Sequence, residues 1–377
     1  MFFGRHNGLH YIFSLFRFLL YPLALLYGAL VWLRNRLYDT GFSSSIEFDV
    51  PVISVGNLSV GGTGKTPHIE YLVRLLQYQY QVATMSRGYK RYTQGFGLAD
   101  ANTNALKIGD EPMQYHLKFS ELIVCVAEER LTGIPQLLLN RPQIDVILLD
   151  DAYQHRSVKP GLNILITDLS NPFYKDHILP FGRLRENRGA YKRADVIIVS
   201  KCPADITLTA ANEVEQHINP LPDQQVFFTT IQYDAPYDFF TQEQFSIKDT
   251  NAILVCCIAR PEPLEKYLRD NTGDVHVLSY PDHHYFSEKD LEEIKETYNN
   301  WQVPNKIIIT TEKDAARLHL HADKLKEWGI PIIVLPIKVA VLFGKQHAFD
   351  TIVTTYIEKT ISEGNEQGDS AASTSLS

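Results

Sequence analysis

The stretch 52–66, VISVGNLSVGGTGKT, constrains this chain more than any other, because an apolar run enters a glycine-rich turn that ends in Lys-Thr. Such a turn is a phosphate cradle. Gly61, Gly62 and Gly64 reach backbone angles that turn several N–H groups inward, with Ser59, Val60 and Thr63 completing the loop. Lys65 adds a point charge and Thr66 a hydroxyl for Mg²⁺. Beyond Pro67, which a first helical turn tolerates, Ile69, Leu72, Val73 and Leu76 recur at helical spacing, so the loop opens a helix with its positive end toward the phosphates. The generic G-x-x-x-x-G-K-[ST] pattern wants glycine where Ser59 stands, and the same residues also suit an ordinary turn between strand and helix.

At 377 residues the chain is long enough for two domains, with the composition of a globular protein. A net charge of −8 argues against a general nucleic-acid binder. Cys125, Cys202, Cys256 and Cys257 show no C-x-x-C spacing and lie mostly in apolar runs, which predicts buried free thiols in a reducing compartment.

Residues 9–33 are the most apolar part of the chain. Their uncharged core, 18–33, would measure about 24 Å as a helix, against ~30 Å for a hydrocarbon core. Arg5 and Arg17 before it balance Arg34 and Arg36 behind it, and no small-residue cleavage site follows. The segment suits a membrane-embedded or interfacial anchor, with a buried core helix as the other reading.

From residue 52 onward, β-rich runs at 52–56, 81–85, 121–126, 145–149, 162–167 and 195–200 alternate with helical patterns. Being apolar on both faces, they predict a buried parallel sheet. Ligands gather at the carboxyl ends of such strands, where Arg87, Asp150, Asp151, Asp168 and Lys201 stand. After a strand at 225–233 the stretch 234–250 loses periodicity and marks a junction. A smaller alternation follows: strands at 251–258, 275–279, 306–310 and 331–336, helices at 263–270 and 288–298 and another near Ala315. The expected fold is α/β: a P-loop NTPase-like parallel sheet, a second, smaller α/β lobe with a cleft between them, and an N-terminal membrane-associated helix. The expected segments are 1–40, 41–233, 234–361 and a tail at 362–377 whose composition predicts disorder.

Asp150 and Asp151 end an apolar strand, where a P-loop protein holds Mg²⁺ and where aspartate also caps helices. Arg87 suits a phosphate. Asp110, in the acidic turn with Glu111, suits either a base that takes a proton from an attacking hydroxyl or turn chemistry. Arg183, Arg185 and Arg188 in one loop, and Arg130 after the third strand, suit an anionic ligand or a solvated surface. Asp282, His283 and His284 suit a carboxylate–imidazole pair, with zinc as the rival. Thr311 and Asp314 stand in capping-box positions, and Lys313 suits a place near nucleotide.

Taken in order, GNLSVGGTGKTP, SRGY, GDEP, DDAYQHR, LPFGRLRE, IARP, DHH and TEKDAARL make the chain, from about residue 11 to 360, resemble the tetraacyldisaccharide 4′-kinase family of lipid A synthesis. That family also carries serine or threonine at Ser59. Lys90 and Ala152 stand where it often has glycine. The resemblance implies ATP and Mg²⁺-dependent phosphorylation of the 4′-hydroxyl of an acylated glucosamine disaccharide 1-phosphate, at the cytoplasmic face of a Gram-negative inner membrane. It maps the phosphate-loop pair to Lys65 and Thr66, the metal-associated pair to Asp150 and Asp151, the base to Asp110 and its helper to His283. It also implies that Arg87, Glu111, Arg130, Gln154, His155, Arg185 and Glu186 line the site. Nothing implies an obligatory protein partner. The reading from another class is a membrane-tethered P-loop ATPase that switches partners and phosphorylates nothing.

Overall fold

The computed structural model describes residues 6–374. Residues 1–5 and 375–377, with Arg5 and the end of the tail, lie outside the described residues, as do the side chains of 6–19, 365 and 367–374. The chain divides into two compact units, and both are discontinuous in sequence: 1–87, 127–231 and 339–377 form the first, 88–126 and 232–338 the second.

The first unit opens with α1 (His6–Asp39), β1 (Val52–Gly56), α2 (Lys65–Leu76) and β2 (Val82–Ser86). The chain then enters the second unit as β3 (Gly97–Leu98), α3 (Ala105–Ile108), α4 (Asp110–Lys118) and β4 (Ile123–Val126). It returns as α5 (Arg130–Asn140), β5 (Val146–Asp150), β6 (Leu162–Asp168), β7 (Val196–Ser200), α6 (Leu208–Ile218) and β8 (Gln225–Tyr233). The rest of the second unit is β9 (Tyr237–Asp238), β10 (Asn251–Cys256), α7 (Glu262–Asn271), β11 (Val275–Ser279), α8 (Glu288–Asn300), β12 (Lys306–Thr311), α9 (Glu312–Leu318), α10 (Ala322–Glu327) and β13 (Ile332–Leu335). β14 (Ile337–Val341) and α11 (Gln346–Thr374) close the chain.

In the first unit the strand order β8-β7-β6-β1-β5-β2 is parallel throughout, with β1 central between β5 and β6. β1, β2, β5 and β7 are buried at every residue, as strands covered on both faces must be. The second unit holds the order β11-β10-β12-β13-β9, parallel except for the antiparallel β9, and an antiparallel β3–β4 pair. The parallel α/β reading of both stretches is realised, and all four cysteines are buried free thiols.

Helix α1 presents two different faces. Ala24 and Gly28 are buried, and an added Cβ at Gly28 would meet the Ile178 side chain at 3.4 Å. Leu23, Leu26, Leu30 and Leu33 are each more than half exposed. The helix is therefore not a core helix. Among the described residues no helix is long and apolar enough to cross a membrane.

At the other end, α11 continues as helix through 362–374, where composition predicts disorder. Phe349, Val353 and Ile357 anchor its first half in the core, and the backbone ladder propagates beyond them at little further cost.

Candidate functional site

Between β1 and α2 the loop turns on two glycines, Gly61 at φ 108° and Gly64 at φ 88°, angles that side chains rarely adopt. An added Cβ at Gly61 or Gly62 would meet nothing within 4 Å, so the loop borders open space. Its carbonyls are tied down from the other side. Lys201 Nζ donates to the Gly62 carbonyl and to Asp168 Oδ2 (3.0 Å), and Ser200 Oγ donates to the Thr63 carbonyl (2.7 Å). His68 Nδ1–H donates to the Gly64 carbonyl (2.7 Å), while its Nε2 accepts from Thr229 Oγ1 (3.1 Å). Asn57 Nδ2 donates to Thr63 Oγ1 (2.9 Å). No side chain caps the start of α2. With three successive carbonyls held outward and the helix end uncapped, the loop and helix terminus form a concavity suited to an anion.

Lys65 and Arg185 converge on Asp151. Lys65 Nζ lies 3.4 Å from Asp151 Oδ1, and the Arg185 guanidinium reaches both carboxylate oxygens at 3.0–3.2 Å. Burial works to raise the Asp151 pKa, but the two cations hold it below the usual carboxylate range. Arg185 arrives because its loop runs beside the phosphate loop: Val60 N–H donates to the Arg183 carbonyl (2.8 Å) and Arg185 N–H to the Leu58 carbonyl (2.7 Å), flanking a Ser59–Leu184 bridge. Gln154 joins both, its Oε1 accepting from Arg185 (3.2 Å) and its Nε2 donating to the Asn57 carbonyl (2.9 Å).

Other expected residues take different places. Asp150 ends β5, buried, with Ser86 Oγ at 3.5 Å from its Oδ2. Arg130 does not face solvent: it is fully buried and donates to the carbonyls of Ala127 (2.6 Å), Glu128 (3.3 Å) and Asp150 (3.1 Å), propping the end of β5 from behind. Glu186 is buried as well, between Asn35 Nδ2 of α1 (2.6 Å) and Arg193 (3.0 Å). Arg87 is exposed at the end of β2. Burial, helped by the charges of Arg130 and Arg87, pushes His155 down to about 4.

In the second unit Asp110 is the first residue of α4, after Gly109 at φ 93°. It is not a cap: its side chain turns to other elements. His283 Nδ1–H donates to Asp110 Oδ2 (3.1 Å), Tyr285 Oη donates to Oδ1 (2.9 Å), and Arg317 donates to Oδ2 through Nε (2.9 Å) and Nη2 (2.5 Å). Burial pushes the Asp110 pKa up, but these hydrogen bonds and the Arg317 charge win and hold it far below the usual carboxylate range.

His283 itself sits at φ 62°, and with Nδ1 donating to Asp110 its Nε2 faces Lys313 Nζ at 3.2 Å. Lys313 also lies 3.4 Å from Asp282 and 3.6 Å from Glu111. His284 does something else, contacting Asp290 (2.9 Å) beside the capping box that starts α8. Thr311 caps α9 by accepting from Asp314 N–H (3.1 Å). Among the described residues no group of three or more His, Cys, Asp or Glu side chains is placed to hold a metal, so residues 282–284 form no protein-only zinc centre.

Sequence reasoning overlooked Arg317 and the braces His68 and Ser200. An arginine beside Ala315, Ala316 and Leu318 on a short helix was a readable hint of buried pairing; no local pattern marks the other two.

Comparison with known proteins follows the same lines. The family described as LpxK, tetraacyldisaccharide-1-P 4′-kinase, matches residues 16–358. The tetraacyldisaccharide 4′-kinase of Bacteroides thetaiotaomicron is 44% identical over 353 residues, covering 90% of this chain and 93% of that protein. That of Flavobacterium johnsoniae is 44% identical over 351 residues, covering 92% and 99%. The solved structure of LpxK from Aquifex aeolicus in complex with ATP superposes with a TM-score of 0.72 at 28% identity, covering 91% of this chain and 99% of that one. The phosphate loop, the strand-end aspartates and the match over residues 16–358 together place the chain in the tetraacyldisaccharide-1-P 4′-kinase family.

Proposed function

We propose that this chain transfers the γ-phosphoryl group of ATP to the 4′-hydroxyl of a tetraacyldisaccharide 1-phosphate, a lipid A precursor, forming lipid IVA at the cytoplasmic face of a Gram-negative inner membrane. The observation that carries the reading is the phosphate loop: its carbonyls are tied outward, its helix end is uncapped and Lys65 stands at its rim. The relative solved with ATP supports that nucleotide as the donor.

Each group then has a task. The loop amides and Lys65 grip the phosphates, and Arg185, already bidentate on Asp151, supplies a second positive charge. A magnesium ion, when bound, neutralises charge on the transferred group; Thr66, Asp150 and Asp151 would hold it, hard oxygen donors that phosphate oxygens and water complete. Arg87, Glu111, Gln154 and His155 contact the lipid's polar part, while Arg130 and Glu186 act from beneath. The Asp110–His283 pair takes the hydroxyl proton, the freed electron pair forms the new O–P bond, and ADP leaves with the electrons of the broken one. The exposed leucines of α1 lie in the lipid interface.

The test is incubation of the pure protein with γ-labelled ATP and membrane lipid extract. Label in a lipid fraction is expected. Inorganic phosphate alone would replace the kinase with the ATPase switch.

A further inference from the structure

Arg317 is among the largest side chains that the fold buries completely, and none of the tasks above uses it. It lies in α9 between two carboxylates. Nε and Nη2 hold Asp110 Oδ2, and Nη1 holds Asp314 Oδ1 at 3.0 Å. Asp314 is itself fixed, its Oδ2 accepting from Thr311 Oγ1 (2.7 Å) and from the Cys257 backbone N–H (3.1 Å). The guanidinium thus links the first residue of α4 to the start of α9 and the end of β10. A planar fork can hold one carboxylate by two bonds and reach a second with its third nitrogen; an ammonium cannot.

We propose that Arg317 is a positioning residue for the phosphoryl transfer: by fixing Asp110 Oδ2 it holds that carboxylate against His283 Nδ1–H, which leaves the lone pair of His283 Nε2 as the place for the hydroxyl proton. The inference rests on the reading of Asp110 and His283 as the proton-accepting pair. A carboxylate has about four lone-pair sites. Oδ2 of Asp110 takes three donors, one from His283 and two from Arg317, and Oδ1 takes one from Tyr285. The oxygen against the imidazole is therefore saturated, and the work of the carboxylate is to orient the ring and stabilise it once charged, with the ring nitrogen opposite left to accept. On transfer the hydroxyl O–H bond breaks, an N–H bond forms at Nε2, and the electron pair stays on the oxygen. Lys313, now 3.2 Å from Nε2, must yield that place to the hydroxyl.

The groups facing Asp110 are His283 and Tyr285 from the segment before α8, Arg317 from α9 and, farther off, Lys313 of α9 and Glu111 of α4. Removing Arg317 leaves burial opposed chiefly by the hydrogen bonds from His283 and Tyr285, so the carboxylate takes a proton at higher pH and the acid limb of kcat moves up. A merely structural arginine would lower the thermal midpoint and leave that limb in place.

The experiment compares Arg317→Met, Arg317→Lys, Asp314→Asn and Asp110→Asn in the full chain, recording kcat, KM for both substrates, the pH profile of kcat and the thermal midpoint. Arg317→Met is expected to lower kcat by about 10- to 100-fold with KM within about threefold, and to shift the acid limb upward. Arg317→Lys should recover part of kcat, and Asp314→Asn should give a smaller loss of the same kind. Should Arg317→Met fail to fold, the other two variants carry the comparison. Folded Arg317 and Asp314 variants with native kcat and an unmoved limb would overturn the inference while leaving the pair intact, provided Asp110→Asn is inactive. Native turnover in Asp110→Asn would take down the pair and the inference with it.

Discussion

Lys65 shows how a residue recognised from local pattern acquires a partner that pattern does not reveal. The glycine-rich turn marks it, but not its 3.4 Å approach to Asp151, a carboxylate that it shares with a second cation, Arg185. Lys65→Ala is expected to lower kcat at least about 100-fold, since it removes a charge on which the proposed transfer draws; steady-state turnover checks it, and a variant with native turnover would remove Lys65 from the site. Arg130 is the opposite case. Sequence position left open a ligand-facing or a solvated arginine, and the resemblance implied the first, whereas the structure buries it on three carbonyls. Arg130→Met should therefore act first on stability, by about 3 kcal/mol for buried acceptors left unpaired, read as a lower urea midpoint. Little loss of stability but a raised KM for lipid would return Arg130 to the substrate. Nothing in the sequence separates these two roles, because an arginine after a strand looks alike whether it folds under the strand end or over it.

At the scale of elements, the strands were the most readable part, since apolar runs of β-branched residues admit few alternatives. The strands at Val52–Gly56, Gln225–Tyr233 and Val275–Ser279 stand where their runs begin and end. Helix α1 was harder, because hydropathy alone cannot say which face of a greasy helix meets protein. Its narrow contact face, Ala24 and Gly28 with Tyr27 donating to the Arg185 carbonyl (3.0 Å), leaves the large leucines exposed. Charging that stripe, as in Leu26→Glu with Leu30→Glu, should reduce co-sedimentation with anionic lipid vesicles several-fold while the thermal midpoint stays within a few degrees. Equal sedimentation of variant and parent would show that these leucines do not meet lipid.

Over the whole molecule, burial keeps several histidines neutral. His68 and His155 are both pushed down to about 4, and His319, stacked on Phe239, is lowered in the same direction. In the unfolded chain each takes its proton near pH 6.5. Between about 4 and 6.5 the unfolded state thus binds more protons, so stability is full above 6.5 and falls as the pH drops toward 4. The fully buried His68 alone contributes up to about 3 kcal/mol to that fall. Asp110, Asp151 and Asp168, whose pKa values are lowered, contribute stability that is lost only below the ordinary carboxylate range, so the two windows separate. Thermal midpoints at pH 7.5 and 5.0 should differ, the second being lower; equal midpoints would mean that these histidines are not held neutral.

Read alone, the amino-acid sequence determined the alternating α/β architecture, the phosphate loop and the identity of the charged residues at the strand ends, because each is written within a few residues by period, glycine angles and charge. Only the tertiary structure decided that 88–126 belongs with 232–338, that Asp110 meets His283 across 173 positions, and that Arg317 sits between two carboxylates. Those meetings follow from strand order and loop paths, and the energy that fixes them comes from burying groups that no local spacing brings together.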